Sequence, residues 1–354
     1  MIGRVCKVDS SRPEQGRYEM WNVAARAAIA RRLESVQKPP LAARLVASVW
    51  SVAGARGVAR PLELPTAARV IGVGGATLGG ACKTPFAIAL AEALAKRGID
   101  VALVGHAYRA HPLRARVVDP NDRVVDVGDD ALFAARRLAG SGIDVVVAPS
   151  RQAATSFAAR RASFLVVDGL LQARPKRIAR SILLLDGARS WHEGHCPPAG
   201  DYRAPLSALL CAADVAVVVG DERQQNGADG SGLADAMFRL DRALGPHGKV
   251  VPLADLSGAA VGLLLAVARP QRVVDALARR GLHPVATLAF PDHHRPSRDE
   301  LDRATARATH RIDAWLTTGK CATKLPHLLA GAPVLVLDHA LRLSDRLVDW
   351  VLTE

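Results

Sequence analysis

A glycine-containing loop between a short apolar segment and a helix-forming segment constrains the fold of this chain more than any other feature. The loop reads Val73-Gly74-Gly75-Ala76-Thr77-Leu78-Gly79-Gly80-Ala81-Cys82-Lys83-Thr84-Pro85. Backbone N–H groups of such a loop, together with the N-terminus of the next helix, bind a phosphate. The lysine reaches further phosphate oxygens, and the threonine hydroxyl can hold Mg²⁺. The run therefore predicts a nucleotide-binding loop.

Two positions of this loop depart from the general phosphate-binding motif. Thr77 stands where its first glycine is expected, and Cys82 stands where a glycine normally precedes the lysine. A β-carbon at Cys82 is tolerated if φ is negative there and strained if φ must be positive. Lys83 is nevertheless informative, because only 8 of the 47 basic residues are lysine. A phosphate-binding loop needs the compact ammonium rather than the planar fork of arginine.

From Arg69 onward, short runs of Val, Ile and Leu alternate with helix-forming runs, which predicts an α/β fold with a parallel sheet covered on both faces. Acidic residues and glycines follow several of these strands, where doubly wound folds bind ligands. We expect a P-loop NTPase-like core, a second and smaller α/β lobe, and an N-terminal amphipathic helix. The expected divisions are a basic segment (1–64), a kinase-like core (65–240) and a smaller C-terminal lobe (241–354). The predicted strands are Val70–Val73, Asp100–Gly105, Asp144–Ala148, Phe164–Val167, Ile182–Leu185, Val215–Val219, Gly262–Val267, Val285–Ala289, Ala314–Leu316 and Val334–Leu337.

The positive charge is concentrated near the N-terminus. The whole chain carries a formal charge of +13, and residues 1–60 hold eleven Lys and Arg against four Asp and Glu. A basic end attracts an anionic membrane surface or a nucleic acid, although the chain is also rich in arginine throughout. No nucleic-acid motif or aromatic platform supports the second partner. We therefore expect no nucleic acid.

A helix over Leu41–Arg56 would place Leu41, Leu45, Val49 and Val52 on one face. A basic amphipathic helix of this kind suits the membrane headgroup boundary, and docking of the same face on the protein's own core is an equal alternative. No uncharged apolar stretch approaches the ~20 residues of a membrane-spanning helix. The five cysteines contain no CxxC pair, which favours a reducing compartment.

Several acidic and histidine residues lie at predicted strand and helix ends. His293 and His294, beside Asp292, are candidates for acid–base work or metal binding, or are simply exposed loop histidines. Asp129 and Asp130 open a helix and can be caps. Asp168 ends a strand, either as a Mg²⁺-binding acid or as a turn residue.

The ordered motifs resemble the tetraacyldisaccharide 4′-kinase family. The family's loop is Thr-Val-Gly-Gly-Thr-Gly-Lys-Thr-Pro, so Thr77 is the residue that this family uses. Val127–Asp130 resembles its Val-Gly-Asp-Glu, and Phe290–His294 equals its Phe-Pro-Asp-His-His. Further matches are Pro197–Gly200 with Arg203–Leu206 and Ala213-Asp214, and Leu316–Lys320, which is similar to Leu-Thr-Thr-Glu-Lys.

This resemblance implies transfer of the ATP γ-phosphate to the 4′-hydroxyl of a tetraacyldisaccharide 1-phosphate, a lipid A precursor. It implies ATP and Mg²⁺ as cofactors and a peripheral position on the cytoplasmic face of the bacterial inner membrane. Asp129 would be the base, helped by His293, and Lys83 would act on the phosphates. Thr84, Asp130 and Asp168 would serve the metal. The expected nucleotide-binding residues are Thr77, Gly79, Gly80, Ala81, Cys82, Lys83 and Thr84.

The sequence departs from the family pattern at several supporting positions. The family's Asp-Asp-Gly-Phe-Gln-His is Val167–Gln172 here, without the first acid and the last histidine. Its Ser-Arg-Gly-Tyr-Gly is Gly105–Arg109, and its Glu-Lys-Asp is Gly319–Cys321. These losses predict weaker Mg²⁺ binding and substrate positioning. They motivate an alternative function as a catalytically impaired, membrane-surface binding or regulatory protein.

Overall fold

Two β-sheets organise the chain in the computed structural model. The model describes residues 40–58, 62–171, 179–187, 194–221, 236–307 and 310–353. Most of the basic N-terminal segment, and Gln172 of the motif that ends differently from the family, lie outside the described residues. The two sheets confirm the predicted α/β fold with a larger sheet first and a smaller one after it.

The first sheet has nine strands in the order β16-β8-β7-β6-β1-β5-β2-β4-β3. The central strand β1 pairs in parallel with β5 on one side and with β6 on the other. Only the outer pairs that contain β3 and β16 are antiparallel. The strands are β1 Arg69–Gly75, β2 Val101–Val104, β3 Arg116–Val117, β4 Asp144–Val147, β5 Phe164–Asp168, β6 Ala179–Asp186, β7 Val215–Asp221, β8 Ala236–Arg239 and β16 Ala340–Leu343.

Helices cover both faces of this sheet because its strands are apolar on both sides. Phe86 and Leu90 of one helix pack with Ile71 and Val166 on one face. Ala154 of another helix packs with Val167 on the opposite face. The helices are α1 Leu41–Val58, α2 Lys83–Lys96, α3 Val124–Val127, α4 Asp129–Arg137, α5 Arg151–Ala158, α6 Leu206–Ala212 and α10 Asp345–Leu352.

The second sheet follows the order β10-β9-β15-β13-β11-β12, with β14 paired to β15. Its strands β11, β12, β13 and β15 run parallel, and β9 and β10 add antiparallel partners. Apolar clusters lie on both faces, one with α7 and one with α8. The elements are β9 Arg242–Leu244, β10 Val250–Pro252, β11 Val261–Leu265, α7 Pro270–Ala278, β12 Ala286–Ala289, α8 Arg298–Thr305, β13 Ala314–Thr318, α9 Gly319–Ala322, β14 Leu328–Leu329 and β15 Ala332–Leu337.

The chain passes from the first sheet to the second between Arg239 and Arg242 and returns to the first sheet after Leu337. The returning strand β16 pairs with β8, and α10 packs against α2. Leu347 and Val351 of α10 are buried in the core of the first sheet. The division of the chain at residues 64 and 240 stays a prediction. The pairing of β16 with β8 shows in addition that the C-terminal part of the chain returns to the first sheet.

Helix α1 leaves its large apolar side chains in solvent. Leu41, Leu45 and Val49 are 75%, 72% and 74% exposed. The helix contacts the protein instead through Ala47, through Val58 at its end, and through Gly54, where a β-carbon would lie 2.7 Å from the carbonyl oxygen of Arg203. The alternative in which the apolar face docks on the protein's own core is therefore wrong. No helix in the described parts of the chain is long and apolar enough to cross a membrane.

Candidate active site

A cavity of about 1280 Å³ lies between the carboxyl ends of the parallel strands of the first sheet and the edge of the second sheet. The loop 79–84 lines one side of it, and Asp168, at the end of β5, lies beside the loop. His293 and Lys320, from the second sheet, line the opposite side. Ligands of parallel α/β sheets bind at this end of the strands, so the cavity is the candidate active site.

The loop after β1 turns back on itself before helix α2. Thr77 is buried, and its hydroxyl donates to the carbonyl oxygen of Gly79 at 2.8 Å, so Thr77 supports the loop without lining the cavity. Gly80 has φ +67, and Cys82 has φ 56 and ψ 26 at the N-cap of α2. Cys82 is thus in the left-handed region, the strained one of the two possibilities that the sequence leaves open.

Two arginines of the second sheet hold this loop: Arg272 in helix α7, and Arg269 at the N-cap of the same helix. The guanidinium of Arg272 donates to the carbonyl oxygen of Gly80 at 2.5 Å and pairs with Asp186. Arg269 pairs with Asp186 and Asp201, and its side chain packs against Gly80. The loop conformation is therefore fixed by both sheets, which the sequence pattern did not predict.

Thr84 and Asp168 form the candidate metal site beside the loop. The Thr84 hydroxyl donates to Asp168 Oδ2 at 2.5 Å, and both residues are buried. Asp168 Oδ1 is buried and has no hydrogen-bond partner among the described residues. Burial and the nearby Asp130 raise the pKa of Asp168, which Lys83 and Thr84 oppose. A carboxylate oxygen without a donor, next to a hydroxyl, fits a hard divalent cation.

Lys83 and Arg203 bring positive charge to the same end of the cavity. Burial lowers the pKa of Lys83, although Asp168 and Asp130 act in the opposite direction. The Nε atom of Arg203 is buried and has no hydrogen-bond partner among the described residues. Both side chains line the cavity. A concentration of cations that are not fully paired suits an anionic ligand such as a polyphosphate.

Asp129 and His293 meet on the opposite side of the cavity. His293 Nδ1 lies 2.9 Å and 3.0 Å from the two carboxylate oxygens of Asp129. Asp129 is 3% exposed and lies behind His293, which itself lines the cavity. His293 has φ 61, an uncommon backbone conformation that turns its ring toward Asp129. His294 instead contacts Glu300 and stacks on Phe290, so only His293 faces the site.

Two lysines complete this side, and the sequence pattern had assigned no role to either. Lys324 Nζ lies 2.7 Å from Asp129 Oδ2, and both side chains are buried. Lys320 Nζ lies 3.2 Å from Asp130 Oδ1 and 3.1 Å from His293 Nε2. Burial alone would raise the pKa of Asp129, but His293 and the two lysines outweigh it and lower the pKa well below its usual range. Asp129 is therefore an anion.

The positions that depart from the family pattern have identifiable neighbours. Val167 faces the apolar layer under α5, opposite Asp168, because successive side chains of a strand alternate. Cys321 is buried, and its sulfur accepts the backbone N–H of Ala266 at 3.2 Å. A β-carbon at Gly319 would lie 2.3 Å from Phe133 Cε2. Phe133 thus occupies the space beside residue 319.

The loop 105–110 closes the cavity between its two sides. Tyr108 packs on the ring of His293, with centroids 4.5 Å apart, and on His106 at 5.9 Å. Burial and the nearby Arg151 lower the pKa of His106 to about 4. His106 is therefore a neutral imidazole at neutral pH.

The structure thus brings together the residues that the sequence analysis selected, except His294, with Thr77 and Asp129 one layer behind the cavity surface. Asp130 lies between the two sides: it pairs with Lys320 and is close enough to raise the pKa of Asp168. The group Asp129, Asp130 and His293 has atoms within 4.8 Å that could hold a metal ion. Lysine ammonium groups already contact an atom of each member, so Asp168 and Thr84 fit a metal better.

Comparisons with known proteins agree with one another. Residues 40–354 match the sequence model of the family described as tetraacyldisaccharide-1-P 4′-kinase. A tetraacyldisaccharide 4′-kinase of Methylobacterium sp. (strain 4-46) is 34% identical over 315 residues, covering 87% of this chain and 91% of the relative. One of Anaeromyxobacter sp. (strain Fw109-5) is 34% identical over 317 residues, with 84% of each chain covered.

The fold is also similar to a solved structure. A crystal structure of LpxK from Aquifex aeolicus, described as an "apo" form in complex with ATP, superposes with a TM-score of 0.59. It is 19% identical and covers 94% of this chain and 98% of its own. At this identity the likeness supports the fold alone, including the larger and smaller α/β parts.

Proposed function

The chain belongs to the tetraacyldisaccharide 4′-kinase family and is an ATP-dependent kinase of this kind, and we propose how its site residues divide the reaction between them. The reaction transfers the γ-phosphate of ATP to the 4′-hydroxyl of a tetraacyldisaccharide 1-phosphate. One observation carries the assignment: the phosphate-binding loop and the Asp129–His293 pair face each other across a single cavity.

The loop is assigned to the nucleotide. The backbone of Gly79, Gly80, Ala81 and Cys82 lines the cavity ahead of α2, where N–H groups and the helix dipole favour phosphate. Lys83 provides the positive charge that binds the phosphate oxygens. Thr77 stabilises the loop on the side away from the cavity, through the hydrogen bond from its hydroxyl to the Gly79 carbonyl oxygen. Arg203 supports this assignment, because its buried Nε has no hydrogen-bond partner among the described residues and could donate to a phosphate oxygen.

Thr84, Asp130 and Asp168 are assigned to Mg²⁺, with Thr84 and Asp168 as its direct ligands and Asp130, which Lys320 also contacts, binding its waters. The orphaned Oδ1 of Asp168 and the neighbouring Thr84 hydroxyl supply hard oxygen donors. When bound, Mg²⁺ neutralises charge on the phosphate oxygens during transfer. Asp168 keeps Thr84 oriented for this purpose, because the hydroxyl donates its proton to Oδ2 and leaves its lone pairs toward the cavity.

The Asp129–His293 pair is assigned to the acceptor hydroxyl. Removal of the hydroxyl proton makes the sugar oxygen a better nucleophile, and the Asp129 carboxylate, held by His293, can accept that proton. Asp129 lies in the first turn of α4, whose N-terminus stabilises its charge. Positioning supplies much of the catalysis of phosphoryl transfer, and the buried, multiply bonded Asp129 is well held.

Helix α1 is assigned to the surface of the membrane that holds the lipid substrate, at the cytoplasmic face of the bacterial inner membrane. Its exposed apolar residues, with Arg44 and Arg56 on the same helix, match a helix that lies in the headgroup region. Trp50, Gly54 and Gly57 of this helix also line the cavity. An acylated substrate could therefore keep its chains in the bilayer while its sugar enters the site.

The activity is tested directly. Purified protein with Mg-ATP and tetraacyldisaccharide 1-phosphate in detergent should give the 4′-phosphorylated product, and Lys83→Met should give at least 10²-fold less. Absence of product from folded wild-type protein would exclude the assignment. An impaired, purely binding member predicts this negative result. Of the departures from the family pattern, Val167 and Cys321 do not line the cavity, whereas Gly319 does.

The membrane assignment needs a separate assay. Flotation with phosphatidylethanolamine–phosphatidylglycerol vesicles should be lost in the double variant Leu45→Glu/Val49→Glu, because each apolar side chain contributes roughly 1.5–3 kcal/mol on burial. Leu113→Glu is the matched control, since Leu113 is 97% exposed and lies outside α1. Equal flotation of all three proteins would contradict the assignment.

A further inference from the structure

We infer that Arg272 is a positioning residue for the nucleotide phosphates: it holds the phosphate-binding loop in the conformation that keeps Cys82 left-handed and leaves the Ala81 N–H available to phosphate. The inference deepens the proposed function, since it rests on the assignment of this loop to ATP. Arg272 lies in α7 of the second sheet, whereas the loop follows β1 of the first sheet. The second sheet would thus shape the nucleotide site of the first.

Arg272 fixes the orientation of the peptide group between Gly80 and Ala81. Its Nη1 donates to the carbonyl oxygen of Gly80 at 2.5 Å. The C=O and N–H of a planar trans peptide point in opposite directions, so the Ala81 N–H is turned away from Arg272. This N–H has no acceptor among the described residues, and Ala81 lines the cavity. It is therefore available to a phosphate oxygen beside the N-terminus of α2.

Arg269 keeps the same part of the loop from moving toward the second sheet. A β-carbon at Gly80 would lie 2.9 Å from Arg269 Cδ, so the backbone already approaches this side chain closely. Arg269 is 8% exposed and pairs with Asp186 and Asp201. A buried cation held by two acids cannot move without leaving a charge unpaired. Gly80 is therefore fixed by Arg269 on one side and by Arg272 through its carbonyl.

Cys82 lies between this fixed carbonyl and the first turn of α2. The Phe86 N–H bonds to the Cys82 carbonyl at 3.1 Å, and Phe86 is fully buried in the core of the first sheet. The chain must join these two fixed points within two residues, and it does so with φ 56 and ψ 26 at Cys82. A strained backbone persists only where its surroundings determine it. Without Arg272, the loop can relax at Cys82 and turn the Ala81 N–H away from phosphate.

Arg272→Met is the main test, because it removes every donor from a side chain that is 30% exposed. We expect the Kd of Mg-ATP, measured by calorimetry, to rise about tenfold, the usual effect of losing a hydrogen bond from a charged group. KM for ATP should rise with it, while kcat at saturating ATP stays within a fewfold of wild type. Arg272→Lys keeps a charge beside Asp186 and should give an intermediate Kd. Arg298→Met is the matched control, since Arg298 is 90% exposed and does not line the cavity.

The same measurements in a Cys82→Gly background test whether Arg272 acts through the loop. Glycine adopts the left-handed conformation without strain, so Arg272→Met should raise the Kd only about threefold or less there. An equal rise in both backgrounds would assign Arg272 to the nucleotide itself and overturn the inference. An unchanged Kd in Arg272→Met would overturn it as well.

Thermal unfolding without nucleotide gives a readout that does not depend on the proposed function. Cys82→Gly should raise Tm when Arg272 is present and should not raise it in Arg272→Met, whose relaxed loop carries no strain. The Arg272→Lys series repeats each comparison if Arg272→Met does not fold. An equal rise of Tm with and without Arg272 would overturn the inference. If the wild type binds no Mg-ATP, the nucleotide assignment of the loop fails, while the Tm comparison still decides whether Arg272 holds the loop.

Discussion

Replacement of Cys82 by glycine should stabilise the protein, because the wild-type loop holds a non-glycine residue in the left-handed region. A residue with a β-carbon loses roughly 1–2 kcal/mol in that conformation. Glycine avoids this loss but orders a more flexible backbone, at about 0.5–1 kcal/mol. The sulfur adds little, since its nearest polar contacts are the Gly80 carbonyl oxygen at 3.8 Å and Arg272 at 4.0 Å. The net expectation is a gain of roughly 0.5–1 kcal/mol.

Thermal unfolding and steady-state kinetics of three variants measure this effect. Cys82→Gly should raise Tm by roughly 1–3 °C and keep kcat within a fewfold of wild type, because the loop backbone does not have to move. Cys82→Ala keeps the β-carbon and should match wild type. Cys82→Val should lower Tm and raise KM for ATP, since a β-branched residue is a true outlier there. A Valine variant as stable as the Glycine variant would refute the left-handed conformation of Cys82.

Four further predictions concern the residues around the cavity. Gly319→Glu should destabilise by about 1–3 kcal/mol through overlap with Phe133, and the double variant with Phe133→Ala should recover most of this in urea unfolding. Val167→Asp should destabilise by at least about 3 kcal/mol and leave kcat no higher, since it puts a carboxylate into the apolar layer under α5. Asp168→Asn should raise the Mg²⁺ concentration for half-maximal activity about tenfold or more, with little change in Mg-free ATP binding by calorimetry. His106 titrates at about 4 in the folded protein and near 6.5 when unfolded, so its contribution is complete above pH 6.5 and is lost as the pH falls through 4; Tm should therefore fall less over this range in His106→Asn.

The repeated apolar runs were sufficient to predict ten strands of the two sheets: β1, β2, β4, β5, β6, β7, β11, β12, β13 and β15. These strands are rich in Val, Ile, Leu and Ala, as the buried parallel strands of an α/β fold require, and several of them end near an acid or glycine. The strands β3, β8, β9, β10, β14 and β16 were not predicted. β3 has only two residues, and β16 reads Ala-Leu-Arg-Leu, a half-polar edge strand whose pairing with β8 depends on contacts across about a hundred residues.

The candidate site was predictable where a motif fixes the backbone and less so where side chains converge from distant segments. Loop 79–84 follows from its own sequence, because its glycines, lysine and threonine act within one turn. Arg269 and Arg272 are ordinary arginines in a chain of many, and only the fold brings them to Gly80. Lys320 and Lys324 did carry a signal: lysine is rare here, and the reasoning that selected Lys83 applies to both.

The positions that depart from the family pattern show why a motif must be interpreted together with the direction of its side chains. Neighbouring residues of β5 point to opposite faces, so Asp168 faces Thr84 while Val167 packs under α5. The loss of an acid at 167 therefore removes no ligand from the cavity of this chain. Cys321 likewise accepts a backbone N–H that an aspartate could also accept. Cys82 is the departure inside the loop itself. Its β-carbon strains the left-handed backbone there, and glycine would remove this strain without any change in the chemistry of Lys83.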